Sequence, residues 1–146
     1  MSTWKTLVPF FIIFLIVAGC NTDDTGAAQK KGTPDNPCQQ DEAVEAKVVL
    51  NQMDAFIEPR AVSCDEEVFA TAKVKQMNRL KIPEHTKEAL VELDEKLPHS
   101  ELHFSTDQKV WQLLDDLETD TGSEEMQKSE IRTRLLEVED HIRVKG

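Results

Sequence analysis

Residues 63–82 read SCDEEVFATAKVKQMNRLKI, and whether this stretch coils or extends decides the fold. Ser63 and Glu66 stand in capping-box spacing, where a hydroxyl and a carboxylate can each satisfy a backbone amide that a first helical turn leaves orphaned. Phe69, Ala72, Met77 and Leu80 then supply a narrow apolar face. No alternation of period two persists through the stretch, so the pattern predicts a helix.

The flanking segments extend that reading. Upstream, Val44, Val48, Val49, Met53, Phe56 and Ile57 recur at helical spacing until Pro59 ends the run. Downstream, Pro83 opens a segment with Thr86, Leu90, Leu93 and Leu97 in register before Pro98. Ser105 and Gln108, again in capping-box spacing, precede inward-facing Val110, Leu113, Leu114 and Leu117, with Trp111 beside them. Thr121 and Ser123 are candidate caps of a last segment whose Ile131, Leu135, Val138 and Ile142 form one row. The expectation is an all-α fold, a bundle of about four to five helices over residues 38–146. Its only aromatics are Phe56, Phe69, Phe104 and Trp111, so the core should be thin and aliphatic, with little material for a deep ligand cavity.

The amino terminus carries a different signal. An apolar run from Leu7 to Ala18 follows a single charge, Lys5, and is interrupted by Pro9; it is shorter than the roughly 20 residues a spanning helix needs. It stops at Val17-Ala18-Gly19-Cys20, which resembles the lipobox of bacterial lipoproteins. The resemblance covers residues 1–20 only and implies that residues 1–19 are a signal peptide, removed before a Cys20 whose sulfur carries lipid. Such acyl chains bury about 0.8 kcal/mol per CH₂, which makes two or three of them a lasting membrane anchor. Asn21, where an Asp would favour inner-membrane retention in that family, implies the periplasmic side of the outer membrane. Residues 20–37, rich in Gly, Pro, Asp and Asn, then read as a lipidated cysteine and a flexible tether.

Loss of Lys5 with the signal peptide leaves 16 Lys plus Arg against 28 Asp plus Glu, a formal charge of −12. Nucleic acid and anionic lipid surfaces are disfavoured as partners by that sign, whereas a basic protein partner is not. Cys38 and Cys64 remain once Cys20 is spent, and behind a secretion signal they are expected to pair. An unbroken helix from Gln39 to Ile57 would hold its ends nearly 30 Å apart, leaving little slack for the bridge. The pairing therefore favours a helix that starts near Asp41, with residues 38–41 folded back.

Motifs for chemistry are sparse. HSELH places His99 and His103 four residues apart around Glu101, but lacks the zincin order, and His85 and His141 read as exposed. In DLETDTGSEEMQ, residues 116–127, the oxygens of Asp116, Glu118 and Asp120 fall at positions one, three and five of a calcium loop of the EF-hand type. Thr121 then stands where glycine is needed, and Gln127 where a bidentate Glu is needed. No metal or other cofactor is expected. No nucleophile elbow or phosphate-binding loop is present either, so the chain does not read as an enzyme.

The resulting expectation is a membrane-anchored periplasmic adaptor that holds another envelope protein, basic or amphipathic, with the tether giving reach. Its plan is similar to that of small pilot lipoproteins. The alternatives are a cation- or solute-binding lipoprotein using the 116–127 stretch and an immunity or exclusion lipoprotein.

Overall fold

A computed structural model describes residues 38–122 and 126–145; the signal peptide, Cys20 and the tether lie outside the described residues. The fold is α/β, which corrects the all-α expectation. Helix α1 (Asp41–Gln52) is followed by strands β1 (Phe56–Cys64) and β2 (Glu67–Val74), a 3₁₀ turn (Gln76–Lys81) and helix α2 (Ile82–Lys96). Strand β3 (Glu101–Ser105) and helices α3 (Gln108–Thr121) and α4 (Lys128–Lys145) complete it. The sheet runs in the order β1-β2-β3, with β1 antiparallel and β3 parallel to the central strand.

Both faces of this sheet are covered. Ala43, Ala46, Val49 and Leu50 of α1, with Ala89, Leu93 and Leu97 at α2, close over Ala61, Val68, Ala70, Ala72 and Phe104 on one face. On the other, Val110, Leu114 and Leu117 of α3 and Ile131, Leu135 and Val138 of α4 close over Val62, Cys64 and Phe69. Residues 68–72 are consequently buried without a break. A strand sandwiched between helix layers has no polar face, so it shows no period-two signal. Its alanines, good helix formers, let α1 and α2 approach the sheet closely, and the tertiary layer overrides their propensity.

The two residues expected to cap a helix do other work. Ser63 is buried in β1, where its hydroxyl donates to the Gln39 carbonyl. Glu66 sits with Asp65 in the hairpin turn, since Cys64 pairs with Glu67. Asp65 takes φ 59°, a left-handed conformation that Asp tolerates better than most side chains. Phe56 and Ile57, read as the end of a helix, open β1 instead. Pro59 does not stop a helix. It lies with Glu58 in a bulge where two residues of β1 oppose Ala72 alone, a place where a missing N–H costs no ladder bond.

The Cys38–Cys64 disulfide is present, and both cysteines are buried. Beside it, the Gln40 amide donates to the Ser63 carbonyl at 2.9 Å and accepts from the Ser63 N–H at 3.2 Å, supplying at this end of β1 what a neighbouring strand would. Helix α1 forms but buries Ala43, Ala46, Val49 and Leu50 and leaves Val44 and Val48 of the expected stripe exposed, whereas in α3 and α4 the helical periodicity holds. Pro83 lies in the first turn of α2, and Asp107, two residues past Ser105, caps α3 by accepting from the amides of Lys109 and Val110. Among the described residues, no helix is long and apolar enough to cross a membrane.

Candidate functional site

Where β1 bulges, its Glu58 carbonyl accepts a hydrogen bond of 2.7 Å from Trp111 Nε1 on α3. That bond ties the indole to the sheet. Lys73 of β2 reaches the same ring, its Nζ 3.6 Å from the ring centroid and 2.6 Å from Glu58 Oε2, while Arg60 lies 5.0 Å from the ring and pairs with Asp115. Cations over an indole face are attracted by its quadrupole, which orders the ring as one wall of a surface cleft.

The cleft has a volume of about 560 Å³, and Ile57, Lys75, Arg79, Ile82 and Gln108 also line it. The 3₁₀ turn at its rim exposes Met77 and Leu80 almost completely, at 93% and 97%. From Lys73 to Ile82 the chain carries four cations, Lys73, Lys75, Arg79 and Lys81, and no acid. Among the described residues Lys75, Arg79 and Lys81 form no ion pair. A chain of net charge −11 thus concentrates unpaired positive charge and bare apolar side chains at one place. Met77 and Leu80 were expected inside a helix face; the 3₁₀ turn leaves them in solvent because β2 ends at Val74, before the chain reaches another layer.

The residues singled out for metal chemistry are placed differently from the expectation. Asp116, Glu118 and Asp120 lie on helix α3, not in a loop, and at 100° per residue Glu118 points away from the other two. Glu118 pairs with Lys47 and Asp120 with Arg134. His99 falls in the turn after α2, while Glu101 and His103 belong to β3, so the two histidines do not share a helical face. Glu101 and His103 do share a strand face. His141 Nδ1 donates to the Glu137 carbonyl at 2.9 Å along its own helix. His85, expected exposed, sits edge-on to Phe56 at 6.4 Å with its Nε2 out of contact with solvent.

The cationic charge run of this site was legible in residues 73–81, but its exposure was not, because a helical reading turns Met77 and Leu80 inward. Comparison with protein-family models, curated proteins and solved structures found no match to this chain.

Proposed function

We propose that the protein is a lipid-anchored, non-enzymatic adaptor of the bacterial envelope, and that the Trp111 cleft with its Met77–Leu80 rim is where it holds another protein. The anchor rests on the Val17–Cys20 lipobox, with outer-membrane attachment facing the periplasm. The observation that carries the docking reading is the exposure of Met77 and Leu80 beside three unpaired cations. Exposed apolar side chains of this size at a cleft are a mark of interaction surfaces. Local positive charge favours an amphipathic partner over a basic one, with apolar side chains flanked by carboxylates.

A protein segment fits better than a lipid surface. The cleft is concave and walled by an ordered indole, and the net charge of the remaining chain repels an anionic bilayer. Attachment to the same membrane as the partner raises its effective concentration, so modest affinity at this cleft is sufficient.

Site-specific photo-cross-linking in whole cells tests the reading. A cross-linker at Leu80 is expected to capture one reproducible envelope protein, and Arg79→Glu to reduce capture at least fivefold without altering the circular dichroism. Cross-links to lipid alone, or the same products from a cross-linker at exposed Leu136 on α4, contradict it.

A further inference from the structure

We infer that Glu67, Glu101 and His103 form a binding site for a divalent first-row metal ion of the zinc class. The parallel register of β2 and β3 makes Glu67 the partner of Glu101 and Phe69 the partner of His103. Side chains two apart on a strand share a face, so all four project together toward the α3–α4 side. Phe69 is fully buried there, and the His103 imidazole lies flat on it, with ring centroids 4.3 Å apart and planes 9° from parallel. The stack fixes the ring.

What the ring presents is a nitrogen without a hydrogen bond. His103 Nε2 is out of contact with solvent and makes no hydrogen bond; its nearest ionic neighbour, Glu101 Oε1, lies at 3.7 Å, too far for one. One ligand atom from each of Glu67, Glu101 and His103 lies within 4.8 Å of the others. Two features that cost stability thus coincide: a buried acceptor or donor left unsatisfied, and two carboxylates directly opposite each other across a strand pair. A cation between the three groups removes both costs.

The donor set selects the ion. One imidazole and two carboxylates suit zinc and its neighbours, whereas calcium requires six to eight oxygens. Three protein ligands leave a fourth tetrahedral position for water. Bonds of about 2.0–2.2 Å require the three donors to draw closer, and Glu101, whose side chain is 71% exposed, is free to turn inward. The bound ion would pin edge strand β3 to the central strand. The site differs from the helical pair His99 and His103, since it needs Glu67 from another strand and has no use for His99.

Zinc titration followed by calorimetry tests this on the full chain purified in detergent and freed of metal with a chelator. The expected result is one zinc per chain, at least tenfold weaker binding in Glu101→Gln and in His103→Gln, and unchanged binding in His99→Gln. Zinc should also raise the thermal midpoint of the unsubstituted chain but not of Glu101→Gln, whose exposed side chain can be changed without loss of the fold. No saturable binding at millimolar zinc overturns the assignment. So does binding that Glu101→Gln leaves intact or that His99→Gln abolishes.

Discussion

Asp65 joins two duties in one side chain. Its backbone makes the left-handed turn between β1 and β2, and its carboxylate accepts from Lys128, at 2.6 Å, and from Arg132, tying the hairpin to α4. The hydrogen bond from Lys128 is the largest influence on the carboxyl and, with the charges of Lys128 and Arg132, holds it below its ordinary value against the opposing effect of desolvation. A lowered folded-state value means stability that is present above the unfolded carboxyl's range and is lost as the pH falls through the folded one. Asp65→Asn separates charge from turn, because Asn also tolerates positive φ. At pH 7 the variant should be less stable by about 0–1 kcal/mol, as for an exposed ion pair. Chemical denaturation as a function of pH checks it: the gap should close as the pH falls below about 4.

At the scale of elements, the Cys38–Cys64 bridge and the Gln40 side chain stitch the start of α1 onto the end of β1. The bridged residues are 26 apart in sequence, so the constraint on the unfolded chain is worth about 2–4 kcal/mol, a large part of a small domain's stability. A Cys38→Ala, Cys64→Ala double variant should lose about that much in urea denaturation, while reduction of the unsubstituted protein should have a comparable effect. This pairing was legible from compartment and spacing, and so were α2, α3 and α4, whose apolar stripes each face one sheet surface. β1 and β2 were not. A strand buried on both faces has no alternation to read, its hairpin turn has no glycine to announce it, and Ser63 with Glu66 imitates a helix start. The same loss hid the metal cluster, since only a parallel β2–β3 register brings Glu67 beside Glu101 and His103.

The whole described domain is a sheet between two helix layers, and its functional surfaces follow from where that sheet ends. At the bulged end of β1 Trp111 walls the cleft, and the chain leaves β2 through a cationic turn with Met77 and Leu80 in solvent. At β3 the sheet edge carries the His103 cluster. Of the large apolar side chains exposed among the described residues, Met77 and Leu80 at the rim of the cleft are the barest. Both proposals therefore depend on residues 67–74 being the central strand.

Solution NMR of isotope-labelled protein tests that dependence most directly. Extended-chain chemical shifts over residues 67–74, with nuclear Overhauser contacts from the Phe69 ring to the His103 ring and between the Ala70 and Phe104 backbones, are the expected result. Helical contacts between residues three apart throughout 63–82, with Phe69 and His103 not in proximity, would contradict the account and remove both sites with it.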